Sequence, residues 1–276
     1  MSSTAVPPPP DTGASLGEAA VAVLSTGEAA AKANASRQAA EAWRAGRLDE
    51  TCRTPPPDRP ARPARPKLLA PAQMPKRGRG GSHANRVALL HAVAHIELNA
   101  IDLAWDMVAR FGGDMPRGFL DDWVGVADDE ARHFGLIADR LADLGAAYGD
   151  LPAHDGLWQS ALATRDHLAA RLAVVPMVLE ARGLDVTPAM IARLKRLGDS
   201  ESAAALATIY DEEIGHVAAG RRWFDVVCRR DGLDPETAFH DLVRRYFKGA
   251  LKRPFNHPAR DAAGLDAAFY EPLAID

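Results

Sequence analysis

The chain carries one six-residue pattern twice: Asp128-Asp129-Glu130-Ala131-Arg132-His133 and Asp211-Glu212-Glu213-Ile214-Gly215-His216. Each reads Asp, acid, Glu, two residues, His. Each paired Glu also follows a lone glutamate, Glu97 or Glu180, by 33 residues (130 minus 97; 213 minus 180). Residues three apart on a helix share a face, so Glu130 and His133 point one way, as do Glu213 and His216. The lone glutamates are 83 residues apart (180 minus 97) and so are the paired ones (213 minus 130), an equality that a duplicated helix pair explains. Two lone glutamates and two Glu-x-x-His pairs, on four helices facing one interior, are the ligand set of a carboxylate-bridged dinuclear metal site.

The surrounding pattern supplies the helices. From about Asn85 to Arg110, Leu90, Val93, Ala94, Ile101, Ala104 and Val108 recur at three and four, and Glu97 lies on that apolar stripe. From about Pro116 to Leu144, Trp123, Val126, Glu130, His133, Phe134, Ile137 and Leu141 share one side. A third helix is expected from about Leu157 to Arg182, with Leu168, Leu172, Met177, Glu180 and Leu184 inward and a kink at Pro176. Thr187-Pro188 is expected to restart a short helix ending near Leu197. Asp199-Ser200 caps the fourth long helix, Glu201 to about Arg230, which carries Leu206, Ile209, Tyr210, Glu213, His216, Val217 and Gly220. A further helix runs from Asp234-Pro235 to near Phe247, and the tail Lys252–Pro258 reads as irregular.

A single Glu-x-x-His is a common surface pair on a helix. Two copies at a shared offset from two lone glutamates are not. Four carboxylates and two neutral imidazoles on apolar faces lack a balancing cation, and a dry network of them would be unfavourable. No Lys or Arg is expected on all four inner faces, so two divalent cations balance the charge. Oxygen ligands with two imidazoles suit iron or manganese. Glu212 is rejected as a ligand, because it lies about 100° around the helix from Glu213.

Alanine is abundant and aromatics are only 6% of residues, which favours helix over strand. The net charge of −4 implies neither a nucleic-acid nor a membrane partner. Cys52 and Cys228 form no C-x-x-C pattern, as in a reducing compartment. The start lacks a secretory pattern, and acids and arginines are read as interrupting every apolar run short of a membrane span. The expected location is therefore cytoplasmic, with no membrane. Residues 1–13 are Pro-rich and expected to be disordered. Residues 14–47 should form one or two loosely packed Ala-rich helices, ended by Pro55, Pro56 and Pro57. Residues 58–81 alternate Arg and Pro, then give Lys76, Arg77 and Arg79. They read as a solvated connector on the surface; a basic arm for RNA is the weaker reading, because no aromatics are interleaved for stacking. The expected organisation is an N-terminal extension (1–84), a four-helix dinuclear metal bundle (85–232), and a C-terminal helix and tail (233–276).

The ligand pattern resembles the ferritin-like superfamily. More narrowly, His95-Ile96-Glu97-Leu98-Asn99-Ala100-Ile101, Asp129-Glu130-Ala131-Arg132-His133-Phe134, Leu179-Glu180-Ala181-Arg182-Gly183-Leu184-Asp185 and Glu213-Ile214-Gly215-His216-Val217 look like the bacterial family called domain of unknown function 455. The tail Pro254-Phe255-Asn256, with Ala259-Arg260 and Ala263-Gly264, also looks like that family, and the resemblance covers about residues 85–265. Looser relatives include a tRNA hydroxylase acting on a modified adenosine, aldehyde-deformylating oxygenases and ferritins.

The resemblance implies an all-α, ferritin-like four-helix bundle. Glu130 and Glu213 would bridge two iron ions, or manganese in the alternative, and Glu97 and Glu180 would bind terminally. His133 and His216 would each give one ring nitrogen. It further implies an oxygen-activating oxidase or monooxygenase, with an electron donor and a small-molecule or modified-nucleoside substrate. A ferroxidase or iron-handling protein and a manganese catalase are the alternatives. Nucleic acid itself is not expected as a partner, and a homo-oligomer is left open. By the same resemblance Asp129 would contact His216, and Glu212 would contact His133. Tyr210, three residues before Glu213, would hydrogen-bond a ligand, relay an electron or pack as core. Trp123 and Phe134 would line an apolar pocket, and the tail Lys252–His257 would fold back over the bundle as a lid.

Overall fold

The computed structural model describes residues 14–75 and 81–275. The expectations for residues 1–13 and for Lys76, Arg77 and Arg79 lie outside the described residues. The chain is all-α, and it divides into two compact units, residues 1–155 and 156–276. The boundary falls between the two glutamate–histidine helix pairs, so each unit carries one lone glutamate and one Glu-x-x-His.

In the first unit, α1 (Leu16–Leu24) opens with a capping box in which Ser15 and Glu18 satisfy each other's backbone. Glu28 caps α2 (Ala29–Arg44) by accepting from Ala30 N and Ala31 N. Ser82 caps α3 (His83–Phe111), and Pro116 precedes α4 (Arg117–Asp143). α3 packs along α4, α2 lies on α4, and α1 lies on α3. The Ala-rich extension is not loosely packed. Leu16, Ala20, Leu24 and Ala40 are fully buried, and small side chains let the helices approach closely. Ser36 donates to Ala127 O at 2.8 Å and accepts from Trp105 Nε1 at 2.7 Å.

The Arg/Pro connector is more than a solvated strap. Lys32 of α2 forms a buried ion pair with Asp102 of α3 and donates to Ala61 O at 2.9 Å. Arg62 reaches inward to Asp102 at 3.1 Å and to Asn99 Oδ1 at 2.7 Å. Burial draws the Lys32 ammonium down and the Asp102 carboxyl up from their ordinary ranges, and the charge of each opposes that shift in the other.

α3 is long and apolar enough to cross a membrane by length and composition alone, contrary to the reading that charges interrupt every apolar run. Its most apolar stretch is 78% buried in the fold, as in a core helix. One side of α3 is nevertheless polar. His91, His95, Asn99, Asp102 and Asp106 recur at four, four, three and four. That stripe receives the loop after α4: Gly149 N and Leu151 N donate to His91 Nε2 at 2.9 and 3.3 Å. His95 Nε2 meets the acceptor His154 O at 2.9 Å and so carries the proton, leaving Nδ1 to accept from the Tyr148 hydroxyl at 2.8 Å. Burial pulls His95 down to about 4.

In the second unit the expected third helix is divided. α5 (Gly156–Ala163) stops, and His167 caps α6 (Leu168–Val174) by accepting from Ala170 N. A buried arginine lies here after all: Arg171 donates to Thr164 Oγ1 at 2.9 Å and to Ala161 O at 2.7 Å, satisfying the end of α5. At Pro176 the distortion takes the form of a π-helical turn, Val175–Glu180, which runs into α7 (Ala181–Arg196). Pro188 does not restart a helix but lies inside α7. Its missing N–H orphans the Leu184 carbonyl, four residues back, and Asn256 Nδ2 donates to that oxygen instead at 3.0 Å.

α8 (Ser200–Asp231) is capped by Asp199 and ends at Gly232, which is left-handed with φ 67°. The π turn and α7 pack against α8, and α9 (Pro235–Tyr246) packs on α6. Residues 253–256 are irregular, as expected of the tail, but ordered elements flank them. β1 (Leu251–Lys252) pairs in parallel with β2 (Ala274–Ile275), around α10 (His257–Ala262) and α11 (Ala267–Tyr270). Phe239 of α9 meets Phe224 and Phe269 edge-on.

Candidate metal centre

Helical periodicity places the first cluster. Glu97 faces inward from α3, and Glu130 and His133 face inward from adjacent turns of α4; all three are buried. His133 Nδ1 lies 3.4 Å from Glu97 Oε2 and 3.5 Å from Glu130 Oε2. The ligand atoms of these three residues lie within 4.8 Å of one another. Glu97 Oε2 is buried without a hydrogen bond of good geometry.

The electrostatics follow from burial. Burial, then the neighbouring Glu130, pushes the Glu97 carboxyl up to about 8. Burial alone would keep His133 neutral, but Glu130 and Glu97 overcome it and push the imidazole up to about 11. In the metal-free protein the cluster therefore gathers protons to neutralise two buried carboxylates. A divalent cation does the same with a donor set suited to it: two carboxylates and one imidazole.

The second unit repeats the pair. His216 Nδ1 lies 3.8 Å from Glu213 Oε2 on α8, with His216 buried and Glu213 half-buried. Glu180 closes the π turn, on the helix that packs against α8. π turns inside α-helices recur at functional sites, because the extra residue re-aims a side chain.

Among the other singled-out residues, Asp129 accepts from Arg132 Nη2 at 2.8 Å, and Glu212 is half-buried on α8. Tyr210 accepts from Asn256 Nδ2 at 2.9 Å. Trp123 packs against Phe119 and Phe134 meets Tyr148 edge-on, both as buried core. Asp185, Asn256 and Arg260 were noted from sequence only as part of the family resemblance, with no role assigned. Arg260 pairs with both oxygens of Asp185 at 2.9 and 2.7 Å, and Asn256 N donates to Asp185 Oδ1 at 2.9 Å. The available signal was an aspartate five residues after Glu180 and a Phe-Asn-x-x-x-Arg run in the tail.

The fold and its first cluster define an all-α protein with a buried acidic–histidine group compatible with metal binding. The chain belongs to the family described as Protein of unknown function (DUF455), whose model matches residues 25–271. It is 40% identical over 209 residues to an uncharacterized protein of Haemophilus influenzae, an alignment covering 74% of this chain and 72% of that one. No solved structure matches.

Proposed function

We propose that the chain is a ferritin-like dinuclear metal protein that activates oxygen to oxidise an organic substrate. The buried Glu97–Glu130–His133 cluster carries the reading: two carboxylates and an imidazole at 3.4 and 3.5 Å, in a setting that raises Glu97 to about 8. The recurrence of the same spacing at Glu180, Glu213 and His216 supports a second metal position. Glu97, Glu130 and His133 would hold one side of the pair, and Glu180, Glu213 and His216 the other. Iron is the expected metal and manganese the alternative.

When bound, the metals would supply electron transfer to dioxygen. The side chains do the rest. Glu130 and Glu213 are nearly one full turn from His133 and His216, on the same helix face, so each helix could offer an oxygen and a nitrogen to one ion. The apolar stripes of α3 and α4 keep water from the carboxylates. Glu97, with its raised pKa, can hold a proton when no cation is present.

The test is metal analysis of the protein purified from its own host, with oxygen uptake measured in the presence of a reductant. Two irons per chain and reductant-dependent oxygen uptake are expected. Both should be lost in a Glu130→Ala, Glu213→Ala double variant that still shows a helical circular dichroism spectrum. A mineral of many irons per chain would instead point to storage. Oxygen evolution from peroxide, with bound manganese, would point to a catalase.

A further inference from the structure

We propose that residues 252–260 form a clasp that fixes the backbone carrying Glu180, with Asn256 and Arg260 as its positioning residues. The inference rests on Glu180 being a metal ligand. Its structural basis is a helix whose ladder is interrupted twice. Prolines at 176 and 188 stand twelve residues apart (188 minus 176), and each removes one donor from the ladder. Between them the chain passes through the π turn and releases Glu180 at its end. A ligand must be held within about 0.5 Å to bind a metal well, and this stretch has lost two of the bonds that would do it.

The tail supplies one direct replacement, at Leu184 O, and further bonds on the same turn. Arg260 Nη2 donates to Ala181 O at 3.3 Å. Arg182 Nη1 donates to Lys252 O at 2.7 Å and to Pro254 O at 3.3 Å. Asn256 Nδ2 serves both Leu184 O and Tyr210 Oη, at 3.0 and 2.9 Å. Asp185 receives Arg260 in a two-pronged pair, both side chains nearly or fully buried. Four of the five residues after Glu180 are thus tied to the tail.

The clasp is itself braced by aromatic rings. The Arg260 guanidinium lies 4.9 Å from the centre of the Phe255 ring and 4.4 Å from that of Tyr270. Two-pronged guanidinium–carboxylate pairs add geometric definition as well as energy. The Leu184 carbonyl shows the fit most directly. Pro188 creates the orphan acceptor, and Asn256 fills it with one N–H while the other meets the Tyr210 phenol.

The experiment uses the full chain in two arms. Hydrogen exchange of the metal-free protein compares Asn256→Ala, and the near-isosteric Asn256→Asp, with the parent. Manganese(II) titration, with free ion counted by electron paramagnetic resonance, gives the stoichiometry and affinity of each position. The expected result is faster exchange over residues 177–188 with α3 unchanged, and at least tenfold weaker binding of one of two manganese ions. Adding Pro188→Ala to Asn256→Ala returns an intrahelical donor to Leu184 and should recover part of that affinity. A role in general packing would gain nothing from that second change. Unchanged exchange at 177–188 overturns the clasp, whatever the metals do. Faster exchange with both manganese affinities unchanged overturns its link to Glu180. No manganese binding by the parent chain removes the dinuclear reading itself, and with it the ligand the clasp would serve.

Discussion

One nitrogen of His91 accepts two backbone N–H groups, from Gly149 and Leu151, and that makes the loop after α4 sensitive to acid. A protonated imidazole cannot accept at that atom. Burial holds His91 below its ordinary 6.5, with Asp150 opposing the shift. Below 6.5 the unfolded chain therefore takes up a proton that the folded chain resists. The stability contributed by neutral His91 is complete above that value and is lost as pH falls through the window beneath it. Protection factors of the Gly149 and Leu151 amides should drop between pH 7.5 and pH 5, and a His91→Phe variant should show low, pH-independent protection. Equal protection at both pH values in the parent would rule the linkage out. The inward faces of Glu97, Glu130 and His133 were legible because helical spacing is local information. Lys32 and Arg62 were not. Lys32 meets Asp102 across 70 residues of sequence, and no periodicity in an Ala-rich helix or an Arg/Pro connector marks one cation as the buried one.

The contact of the π turn with α8 depends on the absence of a side chain. A Cβ at Gly220 would lie 2.4 Å from both Cβ and Cγ of Pro176, and a proline ring has little freedom to retreat. Gly220→Ala must push the π turn away from α8 and is expected to destabilise the protein by about 1–3 kcal/mol. Gly215, on the same helix, has open space at its Cβ position. Gly215→Ala should be neutral or stabilising by about 0.5–1 kcal/mol. Urea denaturation of the two variants against the parent measures both, and similar midpoints for the two would contradict the close-packing account. The elements themselves were legible to within a few residues at α3, α4, α8 and α9, from apolar stripes and, at α3, α8 and α9, from the caps Ser82, Asp199 and Asp234. The α5–α7 stretch was not. Whether Pro188 ends a helix or sits inside one depends on a donor for Leu184 O, and that donor, Asn256, lies 72 residues away. The short helices that follow the irregular residues 253–256 were missed for the same reason, since α10 is held by α7 and α8, and α11 by α9, rather than by their own propensity.

At the scale of the whole molecule, the proposed ligand set has a consequence for cooperativity. Glu97, Glu130 and His133 belong to the first compact unit, and Glu180, Glu213 and His216 to the second. If both groups serve one pair of metals, a metal bound to one unit is also a tether on the other. Its binding energy then stabilises both at once, by about 2.7 kcal/mol at a free-metal concentration a hundred times the dissociation constant. Hydrogen exchange of the full chain with and without manganese(II) reads this directly. Slower exchange is expected in α3 and α4 and, together with them, in α7 and α8. Glu97→Gln changes only the first unit, yet it should remove the metal-dependent protection of α7 and α8 as well. Glu180→Gln should do the converse to α3 and α4. A chelator added to the parent should reproduce both losses. Two separate mononuclear sites would behave otherwise: Glu97→Gln would abolish the response of the first unit and leave that of the second intact. That result would end the dinuclear assignment while keeping each half as a metal site of its own.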